Sequence, residues 1–96
     1  MIVSFADKAT KALFHGESGK AIGRIPPDVR STAVRKLDLV NAAHDLGDLR
    51  VPPGNRLEPL KGELRGKHSI RINDQWRIVF RWKSGDAHDV EIEDYH

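Results

Sequence analysis

The 96 residues contain no cysteine, which excludes disulfides, iron–sulfur clusters and thiolate zinc sites. A reducing cytoplasm is the default expectation for such a chain. No stretch approaches the ~18 to 20 continuous apolar residues that a membrane helix needs, so no membrane association is expected. The start, MIVSFADKATK, lacks a basic stretch followed by a long apolar one, and a secretory signal is not expected. Internal repeats and low-complexity tracts are also missing. Apolar residues are not scarce, however. Hydrophobic residues make up 39% and charged residues 31%, which argues for a folded globular chain and against wholesale disorder. At 10.8 kDa one modest core is attainable and a second is not, so residues 1–96 are expected to form a single domain.

What is present is an uneven distribution of charge. The formal net charge is +2. Residues 1–49 hold seven Lys/Arg and six Asp/Glu, residues 50–83 nine and three, and residues 84–96 none and five. A basic middle segment is the electrostatic footprint of a polyanion partner. The same pattern also fits a solvated charged sheet whose acidic end neutralises its basic centre.

Met1 to Phe5 is short and apolar and reads as a first strand. Asp7 is placed to cap a helix over Lys8–His15. His15 to Ile25 reads as a loop. Gly19-Lys20 does not make a phosphate-binding loop, because Phe14 and Ala21 stand where that motif needs Gly and Ser or Thr. Pro26-Pro27-Asp28 opens a second helix, since proline is tolerated in the first turn. Val29, Ala33, Val34, Leu37, Val40 and Ala43 then recur at three- and four-residue steps and form one apolar stripe. Arg30, Arg35, Lys36 and Asp38 fall off that stripe and read as surface charges. Gly47 is the expected helix end. Val51-Pro52-Pro53-Gly54-Asn55 is a rigid connector. Period-two patterning then predicts strands near Arg56–Pro59, Lys67–Ile72, Trp76–Lys83 and Ala87–Asp94. A strand, two helices and a run of hairpins make an α+β layout, with helices on one face of the sheet.

Register places the candidate residues. Trp76, Ile78, Phe80 and Trp82 share the core face of their strand, and Arg77, Val79, Arg81 and Lys83 share the other. A three-residue loop, Asn73-Asp74-Gln75, pairs Ile70 with Ile78 and Arg71 with Arg77, whereas a two-residue loop would set arginine against isoleucine. A loop of Ser84-Gly85-Asp86 would pair Phe80 with Val90 and Ile78 with Ile92. Arg71, Arg77 and Arg81 then share a solvent-facing surface with Asp89, Glu91, Glu93 and Tyr95. Two readings of this surface stay open. Facing arginines repel by some tenths of a kcal/mol, which a bound phosphate would offset. Alternatively Arg77 with Glu93 and Arg81 with Asp89 are ordinary cross-strand ion pairs, worth ~0 to 1 kcal/mol each.

Four segments carry a family resemblance. They are Met1-Ile2-Val3-Ser4-Phe5, the run Gly54-Asn55-Arg56-Leu57-Glu58-Pro59-Leu60-Lys61-Gly62, the run Ser69-Ile70-Arg71-Ile72-Asn73-Asp74-Gln75-Trp76-Arg77-Ile78, and the terminal Glu93-Asp94-Tyr95-His96. In order and over nearly the whole chain they resemble HigB-type toxins of the RelE superfamily. The resemblance implies a small α+β fold. An N-terminal strand and two helices would pack with a mainly antiparallel sheet of about four to five strands. It implies a ribosome-dependent endoribonuclease that cuts translated mRNA in the A site and so inhibits translation. Its implied partners are the ribosome with its 16S rRNA, the mRNA, and a HigA-type helix-turn-helix antitoxin. Operator DNA would be bound only through the toxin–antitoxin complex. No cofactor is implied.

A ribonuclease working without a metal must activate a ribose 2′-OH, stabilise a phosphorane-like transition state and protonate the leaving 5′-oxygen. Lys61, Arg71 and Arg77 are the candidates for the cationic role, since an arginine fork grips two phosphate oxygens. The family implies catalytic work at Asp94, Tyr95 and His96. His96 suits proton exchange near neutral pH. Tyr95 suits orienting the nucleophile, stacking a base, or acting as base beside cations. Glu58 stands where some HigB toxins carry histidine. It is either a general base or the partner of a nearby arginine. Arg56, Arg65, Lys67, Arg81 and Lys83 would add diffuse attraction to RNA. Trp76 and Trp82 read as core. His15, His44, His68 and His88 show no metal-ligand spacing, so no metal site is assigned. Two other readings belong to different classes. One is a ParE-like toxin that inhibits DNA gyrase without cutting nucleic acid. The other is an inert module that only binds its antitoxin.

Overall fold

The computed structural model describes residues 1–94. Asp7 does cap the first helix, α1 (Lys8–Phe14), and its carboxylate accepts the Thr10 backbone N–H at 3.3 Å. The same carboxylate receives Arg24, whose guanidinium also donates to the Ile92 carbonyl at 2.8 Å. One arginine thus ties the start of α1 to the last strand. The loop that follows contains a 3-10 turn at Gly19–Ile22. Helix α2 (Pro27–Ala42) begins at the expected prolines. Val29, Ala33, Leu37, Val40 and Ala43 of its stripe are all buried.

Two expectations for α2 need correction. The helix ends at Ala42, not at Gly47, which lies in a separate 3-10 turn, Leu46–Arg50. Asp45 and Asp48 form a reciprocal capping box there, so a new N-terminus competes with helix continuation. Lys36 is not a surface charge. It is buried, and its ammonium donates to the side chain of Asn55, which is itself fully buried.

The sheet has four antiparallel strands in sequential order, β1 (Glu58–Pro59), β2 (His68–Arg71), β3 (Trp76–Lys83) and β4 (Asp86–Asp94). The first hairpin has the expected register, with Ile70 opposite Ile78 and Arg71 opposite Arg77. The second reaches its register by another route. Its turn has two residues, Ser84 and Gly85, both at positive φ (53° and 82°), between the paired Lys83 and Asp86. That geometry matches the right-handed twist of the flanking strands. Asp89, with φ 52°, then supplies the extra residue of a bulge between the Arg81–His88 and Val79–Glu91 pairs. A two-residue turn plus one bulged residue gives the same offset as a three-residue loop. Ile78 therefore still meets Ile92, but Arg81 faces His88 rather than Asp89.

The N-terminal segment lies parallel to β4 as two isolated bridges, Ile2 to Ala87 and Phe5 to Val90, instead of a continuous strand. The bulge interrupts the ladder between them, and the Ser4 hydroxyl accepts the displaced Asp89 N–H at 2.9 Å. Helices and sheet enclose one main core that includes Leu37, Ile70, Ile78, Phe80, Val90 and Ile92. Trp76 belongs to it, and Trp82 packs against it with its ring edge-on to Phe80. No helix among the described residues is long and apolar enough to cross a membrane.

Candidate active site

Strand register builds the face opposite the helices. One row runs Glu58, Ser69, Val79, Glu91, and the next runs Arg71, Arg77, Glu93. This face is not open to solvent as its charge pattern predicts. Arg77 is 8% exposed, Val79 1% and Ser69 0%. Val79 and Leu60 are buried yet stand outside the main core. The segment around β1 closes over this part of the sheet, and the period-two pattern of β3 carries no record of it.

Arg77 is therefore a held residue and not a solvated one. Its Nε donates to Ser69 Oγ at 2.8 Å, its Nη2 donates to the Arg56 carbonyl at 2.7 Å, and Glu58 Oε1 lies 3.5 Å from Nη2. The Arg56 carbonyl reaches it because Arg56 turns left-handed, at φ 46°. Asn55 sets that turn from inside, donating its amide to the carbonyls of Leu49 and Val51, both at 3.2 Å, while Lys36 holds its oxygen. A guanidinium fixed in this way presents positive charge at a set place without reorganising, which is what a developing phosphorane requires.

The two facing arginines each have a carboxylate of their own. Arg71 pairs with Asp74 of the intervening loop, and Arg77 pairs with Glu58. For Arg77 this carboxylate differs from the expected Glu93, because its side chain runs toward β2 and β1, and Arg81 lies opposite His88 instead of the expected Asp89. No bound anion is needed to hold the arginines together.

The other candidates spread around this centre. Glu58 is half-exposed and sits on the Arg77 side of the face. Lys61 is exposed and leads a 3-10 turn over Gly62–Leu64. Asp94 ends β4 opposite Trp76 and accepts Gln75 Nε2 at 3.0 Å. Arg56, Arg65, Arg81 and Lys83 are exposed, and Lys67 is half-buried. Arg81 lies over the turn at Gly66, where a Cβ would come within 2.9 Å of its Nη1. Tyr95 and His96 lie outside the described residues. No group of three or more His, Asp or Glu among the described residues is placed to hold a metal ion.

Several residues of the site were not visible as such in the sequence. Ser69 and Asn55 look like ordinary turn or strand residues until Arg77 is seen to depend on them. Glu91 is another. Its carboxyl is pushed up to about 7, first by burial and then by its hydrogen bond to Glu93 and that residue's charge. Asp7 adds to the shift and Lys67 opposes it. The available signal was the i, i+2 spacing of two glutamates on one strand face, which sets like charges side by side. Burial also lowers the Lys36 ammonium from its ordinary value, with Arg35 and Arg71 adding to the effect.

Comparison with known proteins gives concordant results. A family profile for HigB, described as the RelE-like toxin of a type II toxin–antitoxin system, matches residues 3–96. Toxin HigB-1 of Vibrio cholerae is 41% identical over 87 residues, covering 91% of this chain and 90% of that protein. Endoribonuclease HigB of Proteus vulgaris is 38% identical over 96 residues, the full length of both. The fold is similar to that of a YafQ mutant from E. coli, with a TM-score of 0.65 at 12% identity over 98% of this chain and 93% of that one. It is also similar to a chain of the YoeB–YefM complex from Staphylococcus aureus, with a TM-score of 0.61 at 16% identity over 100% and 98%. At such identities the structural likeness speaks for the fold.

Proposed function

This chain belongs to the RelE-like HigB toxins of type II toxin–antitoxin systems, and from that premise we propose that it cuts translated mRNA in the ribosomal A site as a ribosome-dependent endoribonuclease. The observation that carries the proposal is the fixed guanidinium of Arg77, with Arg71 opposite it and Glu58 against it on one sheet face. In this reading the 2′-oxygen attacks the adjacent phosphorus and the bond from phosphorus to the 5′-oxygen breaks. Arg77, Arg71 and Lys61 take the negative charge that develops on the phosphoryl oxygens. A base removes the 2′-OH proton, and Glu58 and Tyr95 are the candidates for it. His96 returns a proton to the leaving 5′-oxygen. The products are a 2′,3′-cyclic phosphate and a 5′-OH end. Asp94 belongs at the edge of this site. The exposed Arg56, Arg65, Arg81 and Lys83, with Lys67, attract ribosomal RNA.

The protein has an antitoxin partner, as its family requires. We assign that partner to the HigA-type helix-turn-helix class, with operator DNA bound only through the complex. The test is cleavage of a defined mRNA by the purified protein, with and without programmed ribosomes, and mapping of the ends. Cleavage on the ribosome alone, unaffected by chelator and leaving 5′-OH ends, is the expected result. Protein that arrests growth but leaves mRNA intact under every condition would overturn the proposal and point to a gyrase-type target.

A further inference from the structure

We propose that Ser69 is a positioning residue of the site, acting through Arg77. The inference rests on the nuclease reading above. Ser69 is fully buried in the middle of β2, with Val79 opposite it on β3. A β-branched or larger apolar residue is the usual occupant of such a place. A buried hydroxyl in a strand calls for a polar partner. Here that partner is the Nε–H of Arg77, at 2.8 Å. Arg77 Nη2 is taken at the same time by the Arg56 carbonyl, at 2.7 Å. Two acceptors along the Nε/Nη2 edge fix both the direction and the plane of the guanidinium. One of them cannot drift, because Asn55 locks the turn that carries the Arg56 carbonyl. The hydroxyl of Ser69 is the other, and it sets the rotation of the fork. Without it the Nε edge loses its acceptor while Nη2 keeps the Arg56 carbonyl and Glu58, so the plane of the guanidinium turns and the charge that should meet the phosphoryl oxygens is misplaced.

Misplacement of a reacting group by about 1 Å costs on the order of a hundredfold in rate. In single-turnover cleavage of mRNA on programmed ribosomes, Ser69→Ala should lower the rate at saturating protein by about 10- to 100-fold. The half-saturating concentration should stay within about threefold, since the charge that binds RNA is unchanged. The decisive comparison is a cycle with Arg77→Lys. A lysine has no Nε–H fork to align, so in that background Ser69→Ala should change the rate less than about twofold. An equal loss in both backgrounds would overturn the proposal, and so would full activity of Ser69→Ala in the native background. A second reading needs no activity. The Arg77 Nε–H should exchange slowly with solvent in the native protein and rapidly in Ser69→Ala, as followed by NMR. Slow exchange in both would also overturn it. Failure of the native protein itself to cut mRNA on ribosomes would instead count against the nuclease reading.

Discussion

Arg77 combines burial, polar contacts that include Ser69, the Arg56 carbonyl and Glu58, and a full charge, so its replacement tests chemistry and stability together. Arg77→Ala leaves the Arg56 carbonyl and Ser69 without their donor and Glu58 without its cation. That costs about 1 to 3 kcal/mol of stability. Arg77→Lys is the cleaner probe, because the charge stays and the fork goes. Loss of one preorganised electrostatic group typically lowers turnover by about 100- to 1,000-fold. Arg77→Lys should fall in that range in mRNA cleavage while still binding the antitoxin. Glu91 makes a different prediction. Burial and Glu93 raise its carboxyl from 4.5 to about 7. Between those values the folded chain holds a proton that the unfolded chain has released. Stability from this group is therefore full at low pH and is lost as pH rises through about 7. Lys67, which favours the charged form, and Asp7, which disfavours it, are the other charges acting on the carboxyl. Glu91→Gln keeps a side chain able to bond Glu93 without gaining the second charge. Its melting temperature should be near that of the native protein at about pH 5 and above it at about pH 8. His68 works in the opposite sense, since burial lowers its imidazole, but it is common to both proteins and cancels in the comparison. An unchanged difference across that range would show that the glutamates do not share a proton.

At the level of elements, the fold depends on a few side chains that join segments far apart in sequence. Asp7 caps α1 and holds Arg24, which in turn bonds the Ile92 carbonyl of β4. Asp7→Ala removes the cap, typically worth about 1 kcal/mol, and leaves Arg24 with the Ile92 carbonyl but without its carboxylate partner. In a chain of this length 1 kcal/mol corresponds to about 4 to 8 °C, and a melting scan should show a loss of at least that size. The cap, both helices, the four strands of the sheet and the first hairpin register were legible in the sequence, because each is written in local chemistry or short periods, whereas the N-terminal segment makes two bridges instead of the expected strand. The end of α2 was not, since the capping box at Asp45 and Asp48 overrode the glycine at 47. The bulge at Asp89 was hidden because a pattern of apolar residues reports only the net offset between strands. The burial of Arg77 and Lys36 was hidden for a related reason. Each is covered by the Pro53–Leu60 region, and nothing within its own strand or helix records that covering. The candidate site was thus legible as a list of residue types on one face. Its holding contacts, Ser69, Asn55 and the Arg56 carbonyl, come from other segments and required the fold.

Across the whole molecule the charge asymmetry becomes a question of neighbours. The basic residues of 50–83 lie on the connector, on the segment between β1 and β2, and on β2 and β3, and the acidic run of 84–96 begins on β4, hydrogen-bonded beside β3. The acidic strand thus flanks the arginine rows instead of forming a separate patch. Attraction to RNA must then come from exposed cations beyond the arginine rows, among them Arg65 at the turn before β2 and Lys83 at the far end of β3, opposite Asp86 of β4. Contacts of this kind act by releasing counterions from phosphate, so affinity should fall steeply as salt rises. Neutralising one cation that touches a phosphate should reduce the slope of log affinity against log salt by about 1. Arg65→Ala and Lys83→Ala, measured for ribosome binding over a range of salt, should each flatten that slope and leave the single-turnover rate at saturation unchanged. Arg77→Lys should do the reverse, keeping the slope and losing the rate, because its charge is retained and only its geometry is changed. If the surface variants lost rate at saturation, or if Arg77→Lys flattened the slope, attraction and chemistry would not be divided between the rim and the held arginine as the structure divides them.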